Sequence, residues 1–140
     1  MRLTTRTRYA VRALAYLGLW SGKRAVRLQE VAVNEGVSEK YLERIFYKLT
    51  KAGLLATKKG PGGGYELTRK PSAIKLIDIL SAVGEPFDPV FCVAENRSRA
   101  CPRSGHCPAR PYWQKLKRTQ EKFFKTHTLA DICRHADRYG

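Results

Sequence analysis

A helical pattern within residues 37–68, VSEKYLERIFYKLTKAGLLATKKGPGGGYELT, constrains the fold of this chain more than any other feature. Ser38 is a good helix N-cap, because its hydroxyl can accept a hydrogen bond from an unpaired amide of the first turn. Apolar residues then recur at i, i+3, i+4 and i+7, which predicts a buried helix face made of Leu42, Ile45, Phe46 and Leu49. Gly53 is placed to end the helix, since glycine adopts the left-handed C′ conformation without a Cβ clash.

The residues after this helix predict a β-hairpin with a glycine-rich tip. Two short strand candidates, residues 54–59 and 65–68, flank the sequence Gly60-Pro61-Gly62-Gly63-Gly64. The helix carries long polar side chains opposite its apolar face: Glu39, Lys40, Glu43, Arg44, Tyr47, Lys48 and Lys51. A polar helix followed by a basic hairpin is typical of a DNA recognition helix and its wing.

The upstream residues predict the rest of a helix-turn-helix. A first helix over residues 6–19 keeps the apolar spacing, a short extended piece follows over residues 24–28, and a second short helix without a clear N-cap ends near Gly36. An ordinary three-helix bundle would share this periodicity, but it has no need for Lys58, Lys59 and a glycine-rich hairpin. A phosphate-binding enzyme loop is disfavoured, because the Gly-Lys-Ser/Thr ending and a βαβ pattern are both missing.

The charge of the chain indicates a polyanionic partner. The 27 Lys and Arg residues exceed the 12 Asp and Glu residues and give a net charge of +15. Nucleic acid is the leading candidate, and acidic lipid or mere solubility are the alternatives. No apolar run is long enough to span a membrane and no signal peptide precedes the first helix, so a cytoplasmic location is expected. No carboxylate pair or Ser/His arrangement supports an enzyme.

The second half of the chain predicts helices around an irregular cysteine-containing loop. Helices are predicted over residues 74–83 and 112–127, and a short final helix begins after Thr128. The helix over residues 112–127 has apolar anchors but a polar middle, which suits a dimer helix. The expected fold is mainly α with a small β-hairpin wing. A winged helix-turn-helix occupies residues 1–70, and the cysteine loop with a helical dimerisation region occupies residues 71–140.

Three cysteines, Cys92, Cys101 and Cys107, fall in the loop FCVAENRSRACPRSGHCPARP with eight and five residues between them. Disulfides are disfavoured in a reducing compartment, and inert buried thiols suit apolar faces, which this loop lacks. Converging thiolates suit an iron–sulfur or other metal centre, and nearby arginines would keep them deprotonated: Arg97, Arg99, Arg103 and Arg110. Zinc sites favour shorter ligand spacings. A metal centre and a redox-reactive thiol loop both remain open.

Several motifs together resemble a known family of bacterial regulators. MRLTTRTRYAVRAL, VSEKYLERIFYKLTKAGLL, KGPGGGYEL, IDILSAV, the cysteine triad and TLADI are similar to the IscR/NsrR/RirA/CymR family over nearly the whole chain. The resemblance implies a winged helix-turn-helix with a long C-terminal dimerisation helix. It also implies a homodimer on a palindromic double-stranded DNA operator. The triad implies an iron–sulfur cluster, 2Fe-2S or 4Fe-4S, on Cys92, Cys101 and Cys107.

The chain departs from the family where a fourth cluster ligand is expected. Arg110 stands where IscR-like members have a histidine, and Arg8 stands where NsrR-like members have a carboxylate. Arginine cannot replace either ligand. Possible substitutes are His106, Cys133, Glu or Asp side chains across the dimer, or a small thiol, and the position can also be empty. The fourth ligand and the cluster type are therefore open. A cluster-free thiol or zinc regulator on the same scaffold is the alternative.

The predicted DNA contacts combine base readers with backbone contacts. Glu43 and Arg44 are expected at base edges, because arginine can bind guanine bidentately and glutamate can accept from cytosine. Solvated surface charge is the alternative for each. The full predicted set is Arg2, Thr4, Ser38, Glu39, Lys40, Tyr41, Glu43, Arg44, Lys48, Lys58, Lys59, Gly60, Pro61, Gly62, Gly63, Gly64 and Tyr65.

Overall fold

The fold is mainly α-helical with one two-stranded hairpin, as predicted. A computed structural model describes residues 2–86, 88–94, 101–103 and 105–139. The elements are α1 (Thr5–Leu19), α2 (Leu28–Glu35), α3 (Glu39–Lys51), β1 (Leu55–Lys58), β2 (Gly64–Leu67), α4 (Leu76–Ala82), α5 (Arg110–Thr126) and α6 (Leu129–Tyr139). Single 3₁₀ turns lie at Pro71–Ala73 and Phe91–Val93.

The core lies between α1 and α3 and extends to α4 and α6. The predicted apolar face of α3 is buried as expected, and Phe46 is 0% exposed. α1 contributes Leu14, and α4 contributes Ile79, each also 0% exposed. These residues belong to one continuous apolar cluster that holds the three N-terminal helices together.

The helix ends follow their local sequence. Ser38 caps α3 by accepting a hydrogen bond from the Tyr41 amide at 3.1 Å, and Gly53 has the predicted left-handed backbone with φ 82°. α2 begins after Arg27 without a side-chain cap, in agreement with the missing N-cap signal. α1 begins one residue earlier than predicted, at Thr5, because Thr4 caps it by accepting from the Thr7 amide.

The wing is an antiparallel pair of short strands with one further backbone attachment. β1 pairs with β2 in a register that places Lys58 opposite Gly64. The extended piece before α2 joins this pair at Val26, whose amide donates to the Tyr65 carbonyl at 2.9 Å and whose carbonyl accepts from the Tyr65 amide at 2.7 Å. The wing is therefore tied to the segment that leads into the helix-turn-helix.

The C-terminal region differs from the prediction in three places, one of which is α5, which spans Arg110–Thr126 where residues 112–127 were predicted. The final helix is longer than the short one expected, because α6 runs to Tyr139 and packs along α1. The helix predicted over residues 74–83 begins only at Leu76, because residues 74 and 75 are extended. The Ile74 carbonyl accepts from the Leu129 amide at 2.8 Å there. The division at residue 70 stays a prediction, and Leu129 from the second half lies in the same buried cluster as Leu14. None of the described helices is long and apolar enough to cross a membrane.

Candidate nucleic-acid interface and cysteine segment

The outer face of α3 carries solvent-exposed charge next to a buried apolar face. Glu43 and Arg44 are both exposed, as their alternation with the buried residues Leu42 and Ile45 requires. The exposed face also contains Lys40, Tyr47 and Lys48, and Tyr47 is 66% exposed. Within the described ranges, no ion pair involves Lys40 or Arg44, so these cations are available to an external anion.

An aromatic contact sets the position of the wing relative to α3. The rings of Phe46 and Tyr65 meet edge to face with centroids 4.8 Å apart. Phe46 is fully buried and Tyr65 half-buried, so this contact joins the inner face of α3 to β2. Tyr65, predicted as a DNA contact, uses its ring for packing. Tyr41 is also half-buried, with its ring 6.0 Å from Tyr9, and a DNA contact by either tyrosine stays a prediction.

The glycines of the wing tip have different structural roles. A Cβ on Gly63 would lie 2.2 Å from the Lys58 carbonyl oxygen, and one on Gly64 would lie 2.4 Å from the Val26 carbonyl oxygen. The hairpin itself therefore requires glycine at both positions. Gly60 and Gly62 face open space but have positive φ values of 86° and 74°. The remaining tip residues, Lys58, Lys59 and Pro61, are exposed.

A polar cluster braces α1 against α2. The Arg24 guanidinium donates to both carboxylate oxygens of Glu30 at 2.7 and 3.1 Å, and the Tyr16 hydroxyl donates to Glu30 at 2.5 Å. The hydrogen bonds from Arg24 and then Tyr16 lower the pKa of Glu30, and the bond to Glu30 raises the pKa of Tyr16. Arg24 also lies over the Trp20 ring, 3.9 Å from its centroid. The cluster fixes the start of α2 relative to α1.

The N-terminal arm, residues 2–4, leaves α1 beside the end of α4. Arg2 is exposed, whereas Thr4 is half-buried and bonded to the carboxylate of Glu85. No motif in the sequence assigned a role to Glu85. One signal was available, because an acidic residue just after a helix C-terminus is unfavourable for the helix dipole and calls for a specific partner.

The cysteine segment, residues 88–107, lies between α4 and α5. Cys92 sits in the 3₁₀ turn Phe91–Val93, and Cys107 lies shortly before α5, where its carbonyl accepts from the Arg110 amide at 3.3 Å. Cys92, Cys101 and Cys107 are half-buried free thiols. Arg103 and His106 are exposed, and Arg97 and Arg99 lie outside the described residues. Cys133 lies elsewhere, on α6, with its sulfur 3.6 Å from the Ala15 carbonyl oxygen.

A lysine of α5 holds the first part of this segment. Lys117 donates to the Val93 carbonyl at 3.0 Å and pairs with the Asp88 carboxylate at 2.9 Å. Val93 itself is buried, at 8% exposure. Cys92 is therefore carried on backbone that is attached to α5 on both sides.

Cysteine thiols are suitable ligands for an iron–sulfur cluster, but the described residues of the protomer do not form a complete metal site. Soft, unpaired thiolates are the ligands that iron–sulfur clusters use. The Nε of Arg110 is buried and has no hydrogen-bond partner among the described residues, which suits a neighbouring anionic group. However, no three His, Cys, Asp or Glu side chains in the described ranges come together as a metal site.

α5 exposes large apolar side chains beside several lysines, and the helix contributes no buried residue to the protomer. Four large side chains at helical spacing form what we call the apolar face of α5: Tyr112, Trp113, Leu116 and Phe123, with exposures between 39% and 65%. An exposed apolar face of this kind marks an interaction surface.

Comparison with known proteins gives a consistent picture. The model of the Rrf2 family, described as an iron-dependent transcriptional regulator, matches residues 3–135. Protein rrf2 of Nitratidesulfovibrio vulgaris (strain Hildenborough) is 36% identical over 136 residues, which cover 97% of this chain and 89% of that relative.

Two solved structures are also similar over most of their length. CymR, the global cysteine regulator of B. subtilis, matches with a TM-score of 0.79 and 27% identity, covering 96% of this chain and 98% of that chain. IscR of T. potens matches with a TM-score of 0.73 and 31% identity, covering 97% of this chain and 88% of that chain.

Proposed function

The chain belongs to the Rrf2 family of transcriptional regulators, and from this premise we propose that it binds a palindromic operator in double-stranded DNA as a homodimer. One observation carries the proposal: the exposed polar face of α3 is held beside the basic wing by the Phe46–Tyr65 contact. A rigid pairing of helix and wing can enter a major groove and touch the adjacent backbone together. Transcriptional regulation without enzymatic activity follows from the family.

Individual residues take different roles in this proposal. Arg44 and Glu43 read base edges, because they stand on the outer face of α3 and match the donor and acceptor patterns of guanine and cytosine. Lys58 and Lys59 contact phosphates from the exposed edge of the wing, and this contact sets affinity rather than sequence preference. The arm residue Arg2 adds a backbone contact from the start of α1, whereas the amide and hydroxyl of Thr4 donate to Glu85, so a DNA contact by Thr4 stays a prediction.

The apolar face of α5 is the proposed dimer interface. Pairing two copies of α5 would remove Tyr112 and Phe123 from water. Because these side chains are 65% and 53% exposed in the protomer, most of the free energy from burying them is still available to association. A two-fold dimer places two recognition helices in inverted orientation, which a palindromic operator matches.

An iron–sulfur cluster held by Cys92, Cys101 and Cys107 is the proposed sensor. The family description as iron-dependent, the three unpaired thiols and the orphaned Nε of Arg110 support it. When bound, such a cluster supplies a group that iron supply, oxidation or nitric oxide can alter. The cysteine segment is attached to α5 through Lys117, and the proposed dimer interface lies on the same helix.

A cluster-free thiol or zinc regulator is the second candidate. The finding that no three potential ligands come together in the described ranges favours the thiol form of this candidate over the zinc form. Anaerobic purification distinguishes the two, because a cluster gives a coloured protein with iron and sulfide, whereas zinc or free thiols give a colourless one. Colourless protein that contains zinc would favour the second candidate.

DNA binding and assembly are tested together with the wild-type protein. Sedimentation is expected to give a dimer. Binding to a labelled duplex is expected to weaken by roughly 10³-fold or more between about 50 and 200 mM salt if six or more phosphates are contacted. A monomer, or binding that is insensitive to salt, would contradict the proposal.

A further inference from the structure

Glu85 is a buried carboxylate whose partners lie far away in sequence. It is 6% exposed and follows α4, where the chain leaves for the cysteine segment. Its carboxylate accepts from the Thr4 amide at 3.1 Å, from the Thr4 hydroxyl at 2.5 Å and from the Thr7 hydroxyl at 2.5 Å. The Arg6 guanidinium reinforces the junction by donating to the Gly84 carbonyl at 3.3 Å.

Burying the Glu85 carboxylate destabilises the fold unless the hydrogen-bond donors of Thr4 and Thr7 remain in place. A carboxylate taken out of water loses much of its hydration free energy unless hydrogen bonds replace the lost water. The C-terminal end of α4 adds an unfavourable dipole for Glu85, whereas the N-terminal end of α1 offers a favourable one. The buried charge is therefore stabilised from one direction only, by the first turn of α1.

The donors also define where the N-terminal arm goes. Thr4 is the N-cap of α1, so its backbone sets the direction in which residues 2 and 3 leave the helix. Glu85 binds both the amide and the hydroxyl of Thr4, which leaves this residue little freedom to rotate. Arg2, two residues away, is exposed at the end of an arm whose base is fixed.

We propose that Glu85 is a positioning residue for DNA binding, which holds the N-terminal arm so that Arg2 meets a DNA phosphate. The inference rests on the proposed function, because it assigns the arm to the same DNA surface as α3 and the wing. Glu85 itself does not contact DNA. It acts through Thr4, and the ordered arm removes the entropy cost of fixing Arg2 at the moment of binding.

The test measures the salt dependence of binding to a short labelled duplex of mixed sequence by fluorescence anisotropy. Each phosphate contact contributes about 0.9 to the slope of log affinity against log salt. Glu85→Gln replaces one acceptor oxygen with a donor and is expected to lower the slope by about 2, one contact for each arm of the dimer. Arg2→Ala is expected to lower it equally, and the double variant no further.

A matched control separates positioning from general stability. Asp131 accepts from the Thr128 amide at 2.8 Å and caps α6, and none of its printed partners among the described residues belongs to the arm. Asp131→Asn removes a capping carboxylate and is expected to keep the wild-type slope. A variant that is only less stable loses active protein but keeps its slope, so affinity loss at unchanged slope in Glu85→Gln would overturn the inference.

Four further outcomes are decisive. If Glu85→Gln does not fold, Thr7→Val removes one donor to the same carboxylate and is expected to lower the slope in the same direction. Additive effects of Arg2→Ala and Glu85→Gln would also overturn the inference. Wild-type protein that fails to bind the duplex would overturn the proposed function and this inference together, whereas normal wild-type binding with an unchanged Glu85→Gln slope would overturn the inference alone.

Discussion

The ammonium group of Lys117 lies 3.0 Å from the carbonyl oxygen of Val93 and donates a hydrogen bond to it. The same ammonium pairs with Asp88, so one side chain of α5 holds both ends of the backbone that carries Cys92. A hydrogen bond with one charged partner contributes about 1.5–3 kcal/mol, and partial exposure reduces this value.

Removing this attachment should loosen Cys92. Lys117→Met keeps the length of the side chain but loses the charge and the donor. We expect the Cys92 thiol of the apo protein to react about 10-fold faster with a thiol reagent, since local opening costs less. Lys117→Arg should partly restore the slow rate, and Lys125→Met on the same helix should leave it unchanged. Equal rates in Lys117→Met and wild type would show that the attachment does not restrain Cys92.

The two kinds of DNA contact should separate by mutation. Arg44→Ala should relax the preference at one operator position and cost roughly 1–3 kcal/mol there, because a bidentate contact with one base is lost. Lys59→Ala should weaken binding to all sequences similarly and reduce the salt slope by about 1. Titration of a set of single-base operator variants measures both effects. A uniform loss across all sequences in Arg44→Ala would assign Arg44 to the backbone.

Wing glycines should respond according to their surroundings. Gly64→Ala places a Cβ 2.4 Å from the Val26 carbonyl oxygen at φ 144°, which must displace the Val26–Tyr65 pairing. We expect a loss of roughly 1–3 kcal/mol in unfolding free energy, and weaker DNA binding because the wing moves. Gly62→Ala has open space and only its positive φ to oppose it, so it should cost about 1–2 kcal/mol at most. Denaturant unfolding of both variants provides the comparison.

The four cysteines should differ in their importance for iron. Cys92→Ala, Cys101→Ala and Cys107→Ala should each lose most iron on anaerobic reconstitution, because two thiolates cannot hold the cluster. Cys133→Ala should retain it, since that sulfur packs between α6 and the Ala15 carbonyl. The iron and sulfide content per protomer of each variant measures this difference. The same iron content in all four variants would exclude the triad as the ligand set.

Acid stability should report the charge of Glu85. Burial favours its neutral form, but hydrogen bonds from Thr4 and Thr7 and the charge of Arg6 outweigh burial, so the pKa of Glu85 lies below the ordinary 4.5. A lowered pKa stabilises the fold above pH 4.5 and loses that stabilisation as the pH falls through the folded value. The melting temperature of wild type should therefore fall more steeply below pH 4.5 than that of Glu85→Gln. Parallel curves of melting temperature against pH for the two proteins would show that the pKa of Glu85 is the same in the folded and unfolded states.

Local sequence determined α3 and the hairpin. The apolar face of α3, its Ser38 cap and the left-handed Gly53 are all set within a few residues of one another, because a helix repeats every 3.6 residues and its ends need nearby partners. The exposure of Glu43 and Arg44 follows from the same period. These parts of the candidate site were predicted correctly as positions on the fold, and their contacts with DNA stay predictions.

Contacts between distant segments were decided only by the tertiary structure. Thr4 and Glu85 are 81 residues apart, and nothing in the periodicity around either residue indicates the other. The sequence places Gly63 and Gly64 in the hairpin tip, but only the structure shows that the carbonyl oxygens of Lys58 and Val26 come too close for a side chain there. Likewise, α6 is longer than its short motif suggested, because packing along α1 stabilises turns that local propensity leaves undefined. Short-range patterns determine which face of an element is buried. The packing of segments that are distant in sequence determines which residues that face contacts.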